Sequence, residues 1–386
     1  MEERKRLLFV VNNPAFFLTH RLPIALAAQA AGYEVHVATP DGSGLGLIRS
    51  SGFTHHVVPM DRSRGRIWRE LATLFSLVRL YRALKPRVVH HVTIKPVLYG
   101  TLAARLSRVP AVVNAISGLG YIFISPGAKA FLVRCFIEAA YRFSLRHPRQ
   151  RIIFQNPDDR DYFVRRGMAR ASDTVLIKGS GADTSVFKPS PEPEGDLLVL
   201  LASRMLWDKG VGEYVSAARL LRKDHARTRF VLVGSTDPGN PSSVPEPWLR
   251  EAQAEGAVEW WGNRDHMERV LNQAHIVCLP SYREGLPKIL IEAAACGRPI
   301  VATDAPGCRE IVRHGENGLL VPLRDEIRLA EALGTLLCQP LLRRKLGMRG
   351  REMVESEFGL DTVVEQTVDL YRQLDGMPLA VETGKA

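Results

Sequence analysis

Two carboxylates eight positions apart stand in a stretch of the chain that is otherwise mostly small and apolar. The stretch reads Glu284-Gly-Leu-Pro-Lys-Ile-Leu-Ile-Glu292, and strand-like segments precede and follow it. This pattern predicts Glu284 on a strand-to-helix loop and Glu292 about one turn inside the next helix. Both would face the crevice beyond the carboxyl end of the strand, where α/β sheets bind ligands. A buried carboxylate needs hydrogen-bond donors, which sugar or ribose hydroxyls would supply.

Two cations stand about 75 residues earlier, in Arg204-Met-Leu-Trp-Asp-Lys-Gly210, directly after the strand-like segment Leu197–Ala202. Fixed cations at the carboxyl end of a strand suit a diphosphate, because arginine binds phosphate oxygens bidentately and lysine acts as a point charge. The alternative is an ordinary surface ion pair with Asp208. The spacing alone leaves both interpretations open.

The loop that ends at Glu284 supplies a second candidate anion site. Backbone N–H groups at a helix start have no partner within the helix, and they bind anions readily. We expect Gly285 and Leu286 to present such groups, with Pro287 in the first helical turn, where its missing N–H costs nothing. A carboxylate beside a phosphate is unfavourable, so Glu284 fits better if it faces a sugar ring.

Strand-like and helix-like segments alternate along the 386 residues, which is typical of parallel α/β folds, and the length favours two domains. The proline-rich segment from Lys188 to Asp196 is the clearest linker. We predict domains at residues 1–187 and 188–360. The predicted strands are Leu7–Val11, Glu34–Ala38, His55–Pro59, Val88–Val92, Ala111–Ala115, Arg151–Phe154, Thr174–Ile177, Leu197–Ala202, Phe230–Val233, Val258–Trp261, Ile276–Leu279, Ile300–Thr303 and Leu319–Val321.

Charge is distributed unevenly between the two halves. Residues 1–190 hold 28 Lys and Arg against 12 Asp and Glu, a net charge of +16, and the remainder holds 24 against 29, a net charge of −5. A basic half suggests an anionic partner such as nucleic acid or the cytoplasmic membrane leaflet.

No apolar run reaches the ~20 residues of a membrane span. The five cysteines form no Cys-x-x-Cys pair, so neither a zinc site nor a disulfide framework is expected.

These motifs together resemble the donor site of family 4 glycosyltransferases of the GT-B fold. The likeness rests on Arg-x4-Lys-Gly, on Glu-x7-Glu and on Cys296-Gly-Arg-Pro-Ile-Val-Ala-Thr-Asp304, and it extends over nearly the whole chain. It implies two Rossmann-like domains facing a cleft, with the helix at about 361–376 packing back on the first domain. It also implies that Glu284 contacts the donor sugar and Glu292 the ribose.

The resemblance assigns a further donor loop to Trp260-Trp-Gly-Asn-Arg264. In the family, the matching loop holds the nucleobase, largely through its main chain. The residues alone allow another interpretation, in which Asn263 caps the turn before the next helix. We retain Asn263 as a candidate donor-binding residue.

The first half departs from the common family pattern. Val10–Arg21 replaces a Gly-Gly-x-Gly loop, and Ile116–Phe123 stands where many members carry a Thr-Phe-His-type segment, with Ser117 at about the position of the histidine. With Val92-Thr-Ile-Lys-Pro96, these departures resemble the bacterial subgroup that acts on undecaprenyl-diphosphate-linked sugars. The candidate acceptor or cleft residues are Asn13, His20, Lys95, Ser117 and Gly118. Without the histidine, the catalytic base is left open.

The resemblance implies a retaining glycosyltransferase that uses a nucleotide-diphosphate sugar, with UDP favoured, and a lipid-linked saccharide acceptor in cell-surface polysaccharide synthesis. Arg204, Lys209 and Glu284 would act in catalysis. We expect no cofactor and no metal, because the Asp-x-Asp pair at Asp159 and Asp161 follows Asn156-Pro157 and predicts a helix start. His90 and His91 have no assigned role.

The segment Ile67–Lys85 is amphipathic, and its pattern favours a crossover helix packed on the sheet. The cluster of Arg62, Arg64, Arg66 and Arg69 around Trp68 also suits contact with a membrane surface. We therefore predict a cytoplasmic protein that is peripheral at the inner face of the membrane.

Two other functions are considered. A nucleotide-sugar epimerase of the same fold would need acid and base carboxylates from the first half, where none is convincingly placed. A nucleic-acid-binding protein would explain the charge, but it would not explain the set of Arg204, Lys209, Glu284 and Glu292. We expect no nucleic-acid partner.

Overall fold

The computed structural model describes residues 5–60, 67–120, 123 and 127–376. The chain divides into two compact units. Unit 1 comprises the residues up to Ser180 and those from Val363 onward, and unit 2 comprises Gly181–Thr362. The division falls a few residues before the predicted boundary at 187/188.

Unit 1 is built on a seven-stranded parallel sheet with the strand order β3-β2-β1-β4-β5-β6-β7. The inner strands of the sheet are largely buried and mostly β-branched or aliphatic, as expected of a parallel sheet covered on both faces, whereas the edge strands β3 and β7 are partly exposed. They are β1 (Arg6–Val11), β2 (Glu34–Thr39), β3 (Thr54–Val57), β4 (Val88–Val92), β5 (Ala111–Ile116), β6 (Gln150–Phe154) and β7 (Thr174–Leu176).

Helices cover both faces of this sheet. One core cluster packs side chains of α1, α2 and α3 against the sheet, and two others pack α4, α5, α6 and α7. The helices are α1 (Pro14–His20), α2 (Leu22–Ala30), α3 (Leu45–Ser50), α4 (Ile67–Leu84), α5 (Thr101–Leu106), α6 (Ala128–Ser144) and α7 (Pro157–Arg165), and a π-helical turn spans Pro96–Gly100.

Unit 2 is built on a six-stranded parallel sheet with the strand order β10-β9-β8-β11-β12-β13. Its strands are β8 (Leu197–Ala202), β9 (Thr228–Val233), β10 (Glu259–Trp260), β11 (Ile276–Leu279), β12 (Ile300–Thr303) and β13 (Gly318–Val321). The remaining helices are α8 (Val211–Leu221), α9 (Glu246–Ala254), α10 (Met267–Gln273), α11 (Lys288–Ala295), α12 (Glu326–Cys338), α13 (Pro340–Met353) and α14 (Leu360–Asp375).

The last helix returns to unit 1. From α14, Val363, Leu370, Tyr371 and Leu374 are buried in the core cluster that holds α1 and α2. The alternation read from the sequence is confirmed, since each of the thirteen predicted strands overlaps a strand among the described residues.

In both sheets the strand order reverses direction at one point, between β1 and β4 in unit 1 and between β8 and β11 in unit 2. Loops that leave neighbouring strands on opposite sides at such a point open a crevice, and ligands of α/β sheets bind there. Residues that follow these four strands are therefore placed where a ligand would bind.

Candidate active site

Three of the predicted donor residues follow the two strands that flank the switch point of unit 2. Arg204 and Lys209 follow β8, and Glu284 follows β11, the strand hydrogen-bonded to β8 in parallel. Because the carboxyl ends of parallel strands meet at one edge of a sheet, residues 75 positions apart come into contact.

Glycines allow the loops after these strands to approach closely. Gly210 has φ +74°, and a Cβ built on it would lie 2.2 Å from the carbonyl oxygen of Pro280. Gly307, after β12, has φ +85°, and its Cβ would lie 2.6 Å from the carbonyl oxygen of Glu284. A side chain at either position would separate the loops, so these two residues must be glycine.

Backbone hydrogen bonds then fix the approach. The N–H of Tyr282 donates to the carbonyl oxygen of Asp208 at 2.9 Å, and the N–H of Glu284 donates to that of Pro306 at 3.0 Å. The hydroxyl of Ser281 also donates to the Asp208 carbonyl, at 3.1 Å. The β11 loop is thus tied to its neighbours on both sides.

Each predicted cation is paired with a carboxylate. Lys209 Nζ donates to Glu284 Oε1 at 2.5 Å, and the two side chains are only 15% and 13% exposed. Arg204 Nη1 donates to Asp237 Oδ2 at 2.7 Å, and its side chain is half exposed. The alternative of a surface pair with Asp208 is therefore wrong.

Asp237 was missed by the sequence reasoning. It follows β9 within the segment Ser235–Pro247, which reads only as an exposed excursion. The one signal that could have identified Asp237 is its position shortly after β9, the strand that lies next to β8.

Glu292 lies inside α11 with 5% of its surface exposed, and Lys288, one turn earlier, donates a hydrogen bond to its Oε1. Burial raises the pKa of the Glu292 carboxyl above its ordinary value, and the Lys288 ammonium opposes that rise. The spacing of four residues on a helix could have identified this partner from the sequence.

We expect Lys288→Met to destabilise unit 2 in a pH-dependent way. Without the ammonium, the pKa of Glu292 rises further, so the folded state holds its proton to higher pH than the unfolded chain does. Relative to the wild type, the loss of stability should be smaller at about pH 5, closer to the ordinary carboxyl pKa, and about 1–3 kcal/mol at about pH 8. Urea unfolding at both pH values measures this.

Lys223→Met is the matched control for this prediction, because Lys223 is an exposed lysine just beyond α8. An equal loss of stability at both pH values would contradict the role assigned to the Glu292 charge.

The helix start near Glu284 differs slightly from the prediction. Helix α11 begins at Lys288, and Pro287 is its N-cap residue rather than part of its first turn. Gly285 and Leu286 therefore lie in the loop before the helix, and the side chain of Leu286 is buried in the unit 2 core. The reason is that Pro287 adopts an extended backbone with ψ 109°.

Asn263 lies exposed in the loop between β10 and α10. Helix α10 begins at Met267 and its N-cap residue is His266, so Asn263 does not cap the helix itself. The interpretation of Asn263 as the cap of the preceding turn stays a prediction. The loop is tied to the end of β9, where the N–H of Gly234 donates to the carbonyl oxygen of Gly262 at 2.8 Å.

Among the unit 1 candidates, the side chain of Asn13 caps α1 and accepts from the N–H of Ala15 at 2.8 Å. The His20 ring stacks on that of Phe16 with centroids 4.1 Å apart. Lys95 Nζ donates to Glu70 Oε1 at 2.7 Å. Structural partners therefore engage all three.

Asn13 also contributes to the wall of a cavity of about 630 Å³. This cavity lies at the carboxyl ends of the strands on one side of the unit 1 switch point. Its wall includes residues after β1, β2 and β3 and two residues of α4, namely Asn12, Asn13, Pro14, Pro40, Asp41, Gly42, Ser43, Pro59, Met60, Arg69 and Ala72.

Ser117 and Gly118 follow β5, two strands from β1. Ser117 Oγ is buried and makes no hydrogen bond within the part of the chain that is described. Gly118 has φ +119°, a backbone conformation that side chains disfavour. The structure thus places these two residues on a neighbouring strand end and not in the cavity wall.

The two histidines with no assigned role are core residues. His90 Nδ1 lies 2.5 Å from the hydroxyl of Tyr371, and His91 Nδ1 lies 2.8 Å from Asn114 Oδ1. Burial lowers the pKa of His91 to about 3, so its ring is neutral.

The Asp-x-Asp pair lies on a helix start, as predicted. Helix α7 begins at Pro157, and Asn156 caps it by accepting from the N–H of Asp159 at 2.8 Å. Within residues 5–60, 67–120, 123 and 127–376, no group of three or more His, Cys, Asp or Glu is arranged to hold a metal ion. In the same residues, no helix combines the length and the apolar character that crossing a bilayer requires.

The amphipathic segment forms α4, which confirms the crossover helix, and contact with a membrane surface stays a prediction. Leu77 and Tyr81 are buried against the sheet, as a crossover helix requires. Trp68 and Phe75 are nevertheless 76% and 70% exposed. Arg62, Arg64 and Arg66 lie outside the described residues.

Comparison with known proteins gives two family matches and a relative that spans the chain. The model described as Glycosyl transferases group 1 matches residues 196–339, and the model described as Glycosyl transferase 4-like matches residues 6–156. N,N'-diacetylbacillosaminyl-diphospho-undecaprenol alpha-1,3-N-acetylgalactosaminyltransferase of Campylobacter jejuni is 30% identical over 95% of this chain and 98% of its own.

Solved structures share the fold. Sucrose-phosphate synthase from Thermosynechococcus elongatus superposes with a TM-score of 0.81 at 22% identity, covering 97% of this chain and 100% of its own. Anabaena HepE, solved in complex with UDP and glucose, superposes with a TM-score of 0.77 at 19% identity over 96% of this chain and 100% of its own. These likenesses confirm the predicted fold class.

Proposed function

Because this chain belongs to the glycosyltransferase family and has the GT-B fold, we propose that it is a retaining enzyme which transfers a sugar from a nucleotide-diphosphate donor to a lipid-linked saccharide. The observation that carries this proposal is the contact of Lys209 with Glu284 at the switch point of unit 2, with Arg204 after the same strand as Lys209 and paired with Asp237. Two cations and a carboxylate within one crevice match the diphosphate and the hydroxyls of such a donor.

Arg204 and Lys209 would hold the diphosphate. The guanidinium of Arg204 has five N–H donors, and its pair with Asp237 occupies Nη1. A diphosphate can therefore bind this half-exposed group while Asp237 orients it. Lys209 adds a second positive charge after the same strand, with the backbone before α11 as a further source of N–H donors.

The two glutamates would bind the sugar parts of the donor. Glu284, held in place by Lys209, would accept from the transferred sugar. Glu292, held by Lys288, would accept from the ribose. A carboxylate has about four lone-pair sites, so it can accept from a hydroxyl in addition to its lysine.

In the reaction, the oxygen of an acceptor hydroxyl forms a bond to the anomeric carbon as the bond from that carbon to the diphosphate breaks. Negative charge develops on the departing phosphate, where Arg204 and Lys209 would stabilise it. The acceptor proton passes to a departing phosphate oxygen on the same face of the sugar. This route needs no histidine at the position of Ser117.

The acceptor would bind to unit 1. The Campylobacter jejuni relative is named for a diphospho-undecaprenol acceptor, and this likeness supports a lipid diphosphate here. The cavity beside Arg69 and Asn13 is large enough for one or two sugar rings. The product would then belong to a lipid-linked saccharide for cell-surface polysaccharide.

The experiment that tests this proposal is incubation with a panel of nucleotide sugars and a polyprenyl-diphosphate saccharide. Release of the nucleoside diphosphate with sugar on the lipid, and an unchanged anomeric configuration, supports it. Interconversion of the donor sugar without release would identify an epimerase instead.

We expect full activity without divalent metal, because the diphosphate charge is met by Arg204 and Lys209. The measurement is sugar transfer after treatment with a chelator, compared with samples given magnesium or manganese. A chelated enzyme that is inactive and recovers with either metal would contradict this prediction, and Asp159 and Asp161 would be the first residues to replace.

Lipid-linked acceptors are held in a membrane, so we also propose that the enzyme is peripheral at the inner face of the cytoplasmic membrane. The net charge of +16 in residues 1–190 supports contact with anionic lipid headgroups.

A further inference from the structure

Helix α6 has an apolar outer face that the sequence reasoning did not single out. Phe131, Leu132, Phe136 and Phe143 are between 55% and 75% exposed. At ~100° per residue, these four positions fall on one side of the helix. The opposite side is buried, where Tyr141 packs with Phe163 and the end of β6. Large exposed apolar groups gathered on one face mark a contact surface.

Helix α4 carries a similar outer face, formed by Trp68, Leu71 and Phe75, all at least half exposed. Both helices contact the π-helical turn Pro96–Gly100. Strands β4, β5 and β6 are added in one direction across the sheet. Right-handed crossovers therefore place α4, α5 and α6 in one layer on the same side of unit 1.

Positive charge accompanies the rings of this layer. The Arg134 guanidinium lies 5.8 Å from the centroid of the Phe131 ring, and that of Arg105 lies 5.5 Å from the Phe143 ring. The one acid in the sequence of α6, Glu138, is buried and paired with Arg142 at 3.4 Å. The outer face thus combines aromatic and cationic groups while its carboxylate points inward.

This combination distinguishes between possible occupants. A second copy of the chain that met this one through the same face would bring another strongly basic surface against the first, and like charges oppose that contact. An anionic bilayer attracts the arginines and accepts the aromatic side chains at its interface, as it does for amphipathic helices.

We propose that unit 1 lies on an anionic bilayer through the layer of α4, α5 and α6, with the outer faces of α4 and α6 inserted at the headgroup boundary. The purpose of this contact rests on the proposed lipid-linked acceptor, but the contact itself can be measured without donor or acceptor.

Two native cysteines make the orientation testable. Cys135 lies on α6 among the exposed rings, Cys338 lies exposed at the end of α12 in unit 2, and Cys278, Cys296 and Cys308 are buried. A fluorophore is attached to Cys135 in the Cys338→Ser variant, or to Cys338 in the Cys135→Ser variant. Each protein is mixed with phosphatidylglycerol vesicles whose acyl chains are brominated.

Bromine quenches fluorophores that reach the acyl region. We expect strong quenching at Cys135 and none at Cys338. Equal quenching at both positions, or quenching at Cys338 alone, would overturn the proposed orientation.

Substitutions then test the apolar contribution. Phe136→Ser and Phe143→Ser should each weaken vesicle binding about tenfold, because each removes a ring from the interface. Leu47→Ser is the matched control, since Leu47 is 63% exposed on α3 in the opposite layer. Vesicle affinity unchanged by both phenylalanine variants would overturn the proposal.

Two further measurements separate this inference from the proposed function. If the wild-type protein binds vesicles as described but transfers no sugar, the proposed function is refuted and the proposed membrane-binding surface is not. A protein that forms dimers in solution, with Phe136→Ser restoring the monomer, would instead assign the face to a second copy and refute the bilayer.

Discussion

Replacement of Arg204 or of Lys209 by alanine is expected to lower the turnover number about 100- to 1,000-fold at saturating donor. The physical reason is that each side chain would stabilise negative charge that develops on the departing diphosphate, an interaction stronger in the transition state than in the bound donor. Steady-state kinetics with varied donor concentration measure the effect, and circular dichroism checks that the fold is intact.

Because Lys209 is paired with Glu284, the result for Lys209→Ala has two possible causes. Removing Lys209 leaves Glu284 without its cation in a site where that carboxylate is 13% exposed, so part of any loss would reflect an unpaired charge. Glu284→Gln and the double variant Lys209→Ala/Glu284→Gln separate the two effects. Lys223→Ala, at an exposed lysine of unit 2, is the control. Near-wild-type turnover in either single variant would refute the diphosphate site.

Glutamate substitution of Arg62, Arg64, Arg66 and Arg69 together is expected to lower binding to anionic vesicles by about three orders of magnitude at low salt. Each arginine near a bilayer surface contributes about 1 kcal/mol, so the loss of four favours the unbound protein by about 4 kcal/mol, before any repulsion from the new carboxylates. Co-sedimentation with phosphatidylglycerol and phosphatidylcholine vesicles, at low and high salt, measures this.

Binding of the wild-type protein should weaken as salt rises, because the attraction is screened over about 8 Å at physiological ionic strength.

Transfer to lipid-linked acceptor should slow in the variant with four glutamates, while hydrolysis of the donor by water should survive because Arg204 and Glu292 lie in unit 2. Glutamates at Arg219, Arg227, Arg250 and Arg328, exposed arginines of unit 2, provide a charge-matched control. If the wild type binds both vesicle types equally, or binds neither, the anionic membrane is not the partner of the basic half, and nucleic acid becomes the first alternative.

Local sequence patterns were sufficient to predict the strands and the positions of the loops that carry the candidate site. Short apolar runs such as Leu197–Ala202 and Ile276–Leu279 are strands with the bounds predicted. The reason is that a strand buried on both faces requires a continuous apolar run, and polar or glycine residues end it. Because ligand-binding residues follow such strands, Arg204, Lys209 and Glu284 could be placed at one sheet edge before any contact was known.

Charge pairing could not be read from the sequence in the same way. Asp208 is next to Lys209 in the chain, yet Lys209 pairs with Glu284, 75 positions away, and Arg204 pairs with Asp237. The order of strands decides these partners, because it brings the loops after β8, β9 and β11 together. Lys288 and Glu292 are the exception, since a separation of four on one helix fixes their contact locally.

The sequence by itself determined the alternation of strands and helices, the strand ends that carry the chemistry, and the basic character of the first half. The tertiary structure decided which carboxylate orients each cation, that Asn13 caps a helix, and that Ser117 Oγ is buried. It also decided that the apolar faces of α4 and α6 are uncovered. The physical reason is that periodicity shows which side of a helix is apolar, whereas only the packing of its neighbours determines whether that side is buried.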